Sequence, residues 1–319
     1  MPLGQEGADL GGQGTGVVGH AARLGRTPAA APGREEDRRV DTGLPSADSR
    51  DDFARARRNA TLSHLAARLR LRSGDLDVLL PFDEVVSALG HRGETRLGRR
   101  MVDLDLIVGS TDRVAGFDRR FRPTSDLARQ RFERLAMAVR RGEQLPPVDL
   151  LQVGDVYFVR DGHHRVAVLR ALGRELIEAR VTLVRTALGA PSDLRMQDLP
   201  LKGHERLFRE RVPLPPVLVR RVVLDDPQDY ARLAEGVEAW GMRWIQERGE
   251  FADRATVALA WFTEEYEPVL SLLREAGLHP RESGVLDAQA YLRLARERYE
   301  VLRTHRWDDD VIERLTLRQ

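Results

Sequence analysis

The sequence lacks cysteine entirely and contains a single lysine, Lys202, among its 319 residues. The absence of cysteine excludes disulfides, thiolate metal sites and a cysteine nucleophile, and it fits a reducing compartment. With one lysine, the chain has no phosphate-binding loop of the Gly-Lys-Ser/Thr type and no lysine clamp for a nucleotide other than one built on Lys202. No apolar run approaches the roughly 18 residues needed to span a bilayer. We therefore expect no membrane span and no thiol chemistry.

Signals for export and for zinc are also missing. Residues 1–26 lack the basic segment followed by an apolar core that a secretory signal requires, which predicts a cytoplasmic location. No two histidines lie four residues apart on one predicted helix, so a zinc site is not indicated.

The charge balance bears on nucleic-acid binding. The formal net charge is only +1, whereas a protein that binds DNA electrostatically is usually strongly basic. Arginine clusters do occur within residues 51–150, and they are typical of solvated helix faces as well as of anion-binding surfaces. DNA is therefore not expected to be the main partner.

Hydrophobic periodicity divides the chain into four parts and predicts the fold class. Residues 1–50 are poor in large apolar residues and predict a disordered tail, and residues 51–100 predict a helical extension. Residues 101–185 alternate strand and helix patterns, whereas residues 186–319 show helical patterns only. The prediction is a small α/β domain followed by an all-helical C-terminal region. Aromatic residues at helical spacing in that region are interpreted as core.

One stretch carries most of the chemistry. Residues 156–159 are β-formers, Asp161 and Gly162 break the strand, and a helical pattern follows until Gly173. A helix that begins there would have unpaired backbone N–H groups and a partial positive charge, with His163, His164 and Arg165 in its first turn. This combination predicts a site for an anion such as a phosphate group.

These residues resemble a known family. Residues 107–173 are similar to the ParB/sulfiredoxin-like fold. That fold contains a strand, a turn bearing an arginine, a helix and a further strand-turn-helix, and the last of these carries a phosphate-binding box. The sequence Asp-Gly-His-His-Arg at 161–165 stands in the place of that box and looks closer to the branch of ParB-like proteins that includes free serine kinases. Arg113, followed by Phe117 and Asp118, is similar to the arginine and the following Phe-Asp of the ParB nucleotide site.

The resemblance implies a nucleoside triphosphate, ATP or CTP, together with Mg²⁺. Gly162, His163, His164 and Arg165 would bind phosphate, with Arg165 as the neutralising charge and Arg113 as a second contact. A substitution of Arg165 by alanine is expected to remove nucleotide binding and to leave the fold intact. A surface salt bridge is the alternative for Arg113, and a sheet-capping or exposed position is the alternative for either histidine.

The sequence allows more than one role for each of two carboxylates, Asp161 and Glu143. Asp161 is interpreted as a Mg²⁺ ligand, as a base toward a hydroxyl, or as a helix cap that accepts a backbone N–H. Glu143, in the turn before Pro146 and Pro147, is the second candidate base, and its alternative is an exposed turn residue.

Three functions follow from these observations. The first is a nucleotide-dependent switch or adaptor whose C-terminal helices bind a protein partner. The second is a small-molecule kinase or NTPase that uses Asp161 or Glu143. The third and weakest is chromosome partitioning, because no helix-turn-helix with a basic recognition helix is visible after Val184. The base of the nucleotide, the acceptor and the oligomeric state do not follow from the sequence.

Overall fold

The structure is a computed structural model that describes residues 43–69, 78–112, 116–277, 286–302, 311 and 313. Arg113 and most of the predicted disordered tail lie outside these residues. Among the helices in these ranges, none has both the length and the apolar character needed to cross a bilayer.

The described residues form six strands and a larger number of helices. The strands are β1 (Leu80–Pro81), β2 (His91–Asp103), β3 (Ile107–Ser110), β4 (Val148–Val153), β5 (Val156–Asp161) and β6 (Leu176–Thr186). The helices of the α/β part are α1 (Pro45–Leu69), α2 (Phe82–Leu89), α3 (Arg129–Arg140) and α4 (His163–Ala171). They are followed by α5 (Leu199–Arg211), α6 (Pro216–Val219), α7 (Pro227–Arg248), α8 (Arg254–Trp261), α9 (Glu267–Glu275) and α10 (Asp287–Leu302).

The strands form one mixed sheet in the order β1-β3-β5-β4-β6-β2. Neighbouring side chains of a strand point to opposite faces, so β4 supplies Val148 and Leu150 to one apolar cluster and Leu151 and Val153 to another. The first cluster includes side chains of α1, α3 and α4, and the second includes side chains of α2 and of residues 188–199. The sheet is therefore covered on both faces.

The C-terminal helices have an apolar core of their own. Trp261, Phe262 and Tyr266 are almost fully buried there, which confirms that these aromatic residues are core. Phe262–Tyr266 form a π-helical segment that joins α8 to α9, so these elements form one continuous helix with one wider turn. The predicted fold class, an α/β domain followed by a helical region, is confirmed.

The structure corrects two local predictions. Residues 91–100 are predicted as part of a helical extension, but they belong to β2, which pairs with β6. A 3-10 turn at Leu104–Leu106 separates β2 from β3. The turn begins because the Asp103 carboxylate accepts the Asp105 N–H at 2.8 Å. Residues 45–50 begin α1 instead of ending a disordered tail. The division into domains stays a prediction.

Candidate functional site

The site lies where two parallel strands end side by side. β3 pairs in parallel with β5, and Ser110 stands opposite Val159 in the register. Both strands therefore deliver their carboxyl ends to the same edge of the sheet, which is where ligands of open α/β sheets usually bind. Asp112 follows β3 there, and the strand-to-helix turn after β5 leads directly into α4.

Gly162 makes the turn into α4 possible. Its φ of 109° lies in the left-handed region, and a Cβ at this position would come within 2.5 Å of Val148 Cγ1. Gly162 is the N-cap of α4, and its carbonyl accepts the N–H groups of Arg165 and Val166 at 2.8 and 3.1 Å. The N–H groups of His163 and His164 make no hydrogen bond to any residue that the structure describes. Two donors at a helix N-terminus therefore remain available to a ligand.

Arg165 binds the protein itself. One of its terminal nitrogens, Nη1, donates to the carbonyl oxygens of Pro146 and Pro147, each at 2.8 Å. The other, Nη2, donates to Asp161 Oδ2 at 2.5 Å. The side chain is only 14% exposed. Arg165 thus links the turn before β4 to the start of α4 and offsets the charge of Asp161. Its role as the neutralising charge for a bound phosphate stays a prediction.

His163 is held by a residue that the sequence analysis did not select. The buried Ser110 hydroxyl lies 2.7 Å from His163 Nε2, and it accepts the N–H of Asp112 at 3.0 Å. It is also 3.4 Å from the Val159 carbonyl, which already accepts the N–H of Thr111 at 3.0 Å. The hydroxyl and Nε2 therefore share one hydrogen bond, and which of them is its donor depends on the tautomer of the ring.

The electrostatics of His163 favour the neutral imidazole. Burial lowers the pKa of His163, and the carboxylates of Asp112 and Asp161 act against this shift. The ring is therefore neutral at pH 7 and carries a single N–H.

His164 lies in a more apolar position. Its ring packs edge-to-face on Phe117, with centroids 5.2 Å apart. Burial, the positive charge of Arg131 and the neighbouring His163 together lower the pKa of His164 to about 4. His164 is therefore neutral at pH 7 and half-buried, which does not fit the exposed position given as the alternative for either histidine.

The loop before α3 shapes one wall beside these histidines. The buried Asp118 carboxylate accepts the N–H groups of Arg120 and Arg122, each at 2.9 Å, and the Nε of Arg122 at 2.7 Å. This compact arrangement holds Phe121 at a φ of 57° with its ring buried. Asp118, the second residue of the Phe-Asp pair that is similar to the ParB nucleotide site, therefore has a structural role in this loop.

The acidic residues of the site are Asp112 and Asp161. Both are exposed, and both influence the pKa of His163. Asp112 was missed because one acid after a short strand is a common turn residue; only the parallel pairing of β3 with β5 brings it to this edge. Glu143 is exposed, its N–H donates to the Ala138 carbonyl at 3.0 Å, and no described contact connects its carboxylate to residues 161–165. In the described ranges, no three histidine, aspartate or glutamate side chains are arranged to hold a metal ion.

The lowered histidine pKa values predict a pH dependence of stability. His164 has a pKa of about 6.5 when unfolded and about 4 when folded, so between pH 7 and pH 4 the unfolded chain takes up a proton that the native state does not. We expect the free energy of unfolding to fall as the pH falls through this window. Urea titrations should show a weaker dependence in His164→Gln. Equal slopes for the variant and the parent chain would contradict the assignment.

One comparison with known proteins identifies part of the chain. Residues 116–194, about a quarter of the chain, match the model of the ParB N-terminal domain. The matched segment runs from the Phe117 loop through β6 and contains the whole of α4, so the chain carries a ParB-like domain. β3 with Ser110 and Asp112 lies before it. No curated protein and no solved structure matches the chain.

Proposed function

We propose that the N-terminus of α4 binds the phosphates of a nucleoside triphosphate and that the protein is a nucleotide-dependent switch or adaptor. The observation that carries this proposal is the pair of backbone N–H groups of His163 and His164, which begin a helix and have no hydrogen-bond partner among the described residues. The positive end of the helix dipole adds to their attraction for an anion. The match to the ParB N-terminal domain supports the same location.

The resemblance of residues 161–165 to the free serine kinase branch of ParB-like proteins is part of this proposal. The Asp-Gly-His-His-Arg sequence at 161–165 takes the place of the phosphate-binding box in a ParB/sulfiredoxin-like fold, in the form similar to the free serine kinase branch. A box with neutral histidines has less positive charge than a box of arginines. We therefore expect hydrogen bonding to contribute more than charge to phosphate binding, and a weak dependence of affinity on salt.

Magnesium would enter with the nucleotide. Mg²⁺ is commonly held by one or two carboxylates together with phosphate oxygens, and Asp161 and Asp112 are the carboxylates at this edge. Since Asp161 already pairs with Arg165, the phosphates would have to supply most of the ligands. The bound nucleotide would order the site, and this change would then alter how the C-terminal helices bind a protein partner.

The alternative is a small-molecule kinase or NTPase. It is favoured by the presence of two exposed carboxylates beside His163, since phosphoryl transfer to a hydroxyl requires a group that orients or deprotonates it. Asp112 or Asp161 would have this role. Glu143, the other candidate, has no described contact with the site.

A nucleotide screen tests nucleotide binding, which both functions require. ATP, CTP, GTP and their diphosphates with Mg²⁺ should raise the melting temperature, because a ligand present at about 100 times its Kd stabilises the native state by about 2.7 kcal/mol. His163→Ala should lose most of this shift, whereas His204→Ala, a matched change on α5, should retain it. No shift with any nucleotide would contradict the proposal.

Turnover separates the two functions. If the protein is a switch, bound nucleotide stays intact when amino acids and other hydroxyl compounds are added. If it is an enzyme, nucleotide is consumed, and Asp112→Asn or Asp161→Asn abolishes consumption while binding remains.

A further inference from the structure

β2 is an unusual edge strand. It is the last strand of the sheet, and in the described part of the chain it pairs with β6 alone. Of its thirteen residues only Val102 is buried, so both faces and one backbone edge are accessible. An open edge presents unpaired N–H and C=O groups and is a template for a further strand.

A continuous stretch for pairing lies in the second half of β2. The register with β6 shifts between His91 and Gly93 and again between Arg96 and Gly98. Residues 98–103 then pair without interruption with residues 176–181. These six residues, which we call the docking strand, have the length of an ordinary strand.

Each face of the docking strand carries one arginine. Arg99 and Arg100 are neighbours, so they point to opposite faces of the sheet. The exposed Arg99 side chain lies 3.4 Å from Glu178, whereas the Arg100 side chain has no ion pair or hydrogen bond within the described residues. Met101, on the face of Arg99, is 61% exposed, and the strand ends on that face at Asp103, whose carboxylate already accepts a backbone N–H. An apolar side chain so exposed beside Arg99 is suited to a partner that is both acidic and partly apolar.

We propose that the docking strand binds an extended acidic segment of another protein, which adds a seventh strand to the sheet. Acidic side chains of that segment would face Arg99 and Arg100, and an apolar side chain would face Met101. Main-chain hydrogen bonds would supply affinity and these side chains would supply specificity. The same arginines oppose pairing of the docking strand with a second copy of itself, since like charges would then be brought together. Nucleic acid would use the arginines but not the open backbone edge.

A labelled peptide made of Val-Glu-Glu repeats, which can place a valine opposite Met101 and one glutamate opposite each arginine, tests the charge requirement. It should bind the full-length protein in a fluorescence anisotropy titration, whereas the peptide with lysine in place of glutamate should not. The double variant Arg99→Glu with Arg100→Glu should weaken binding at least about tenfold, because two attractive pairs become repulsive. The double variant Arg254→Glu with Arg293→Glu makes the same charge change on exposed positions of α8 and α10 and should bind like the parent chain.

Backbone pairing is tested separately. Two versions of the peptide are compared. One is N-methylated at every second residue and the other at the residues between, so each version can donate hydrogen bonds from one edge of the strand only. One version should lose binding and the other should retain it. Equal binding of both, or binding of duplex DNA but not of the peptide, would overturn the proposal. Amide hydrogen exchange of residues 98–103 should slow in the complex, and unchanged exchange there would also overturn it.

Discussion

The variant Gly162→Ala should lose about 2–4 kcal/mol of unfolding free energy and all measurable nucleotide binding. A non-glycine residue at a φ of 109° is strained, and the added Cβ would lie 2.5 Å from Val148 Cγ1. The clash can be relieved only by moving the start of α4, which would displace the N–H groups of His163 and His164. Urea denaturation and the nucleotide-dependent melting shift measure the two losses.

Two other glycines provide matched controls for Gly162. Gly142 has a φ of 81° with nothing within 4 Å of its Cβ position, so Gly142→Ala reports backbone strain without a clash. Gly154 has a φ of 57°, and its Cβ would lie 2.5 Å from the Ala190 backbone, in a turn at the opposite end of β5. Gly154→Ala should be destabilised similarly but should still bind nucleotide at a temperature at which it is folded. Retained binding in Gly162→Ala would show that α4 does not form the site.

The variant Arg165→Ala should lower the free energy of unfolding by about 1–2 kcal/mol, because two carbonyl groups, one of them half-buried, and an exposed carboxylate lose a charged donor. The sequence alone led to the expectation that this change removes binding and spares the fold. The hydrogen bonds to Pro146, Pro147 and Asp161 change that expectation. Denaturation of the variant in urea measures the loss.

The variant Arg165→Lys separates a structural role of Arg165 from a role in phosphate binding. Arg165→Lys keeps the charge but cannot reach the same three oxygens together, so it should be nearly as unstable as the alanine variant. Arg160→Ala, an exposed arginine on β5, should change stability by no more than about 0.5 kcal/mol. A stable Arg165→Lys variant with weakened nucleotide affinity would favour phosphate contact as the main role of Arg165.

The helices and the central hairpin could be predicted from the sequence because their signals are local. Apolar residues at helical spacing marked α3, α7 and α10 within a few residues of their observed ends. Gly154 and Asp155 marked the turn between β4 and β5, and Gly162 marked the start of α4. The anion-binding character of that start could likewise be predicted, since it depends on a turn and a helix that are adjacent in the chain.

β2 could not be predicted by the same means. A strand that is exposed on both faces has no alternation of apolar and polar residues, and its arginines and glycines resemble a solvated helix or loop. It forms because β6 offers a long edge, and β6 lies more than seventy residues further along the chain. Pairing with a distant segment leaves no periodic signal in a strand such as β2, whose two faces are both largely exposed.

The sequence by itself determined the absence of thiol chemistry, the α/β and helical parts, and the strand-turn-helix at residues 156–173 with its two histidines. Tertiary structure decided how those residues are used. Ser110 reaches His163 across 53 positions of sequence, and Arg165 is directed to carbonyl groups 18 and 19 residues earlier. Composition and periodicity report preferences of neighbouring residues. The partner that satisfies a particular donor depends on which distant segments the sheet brings together.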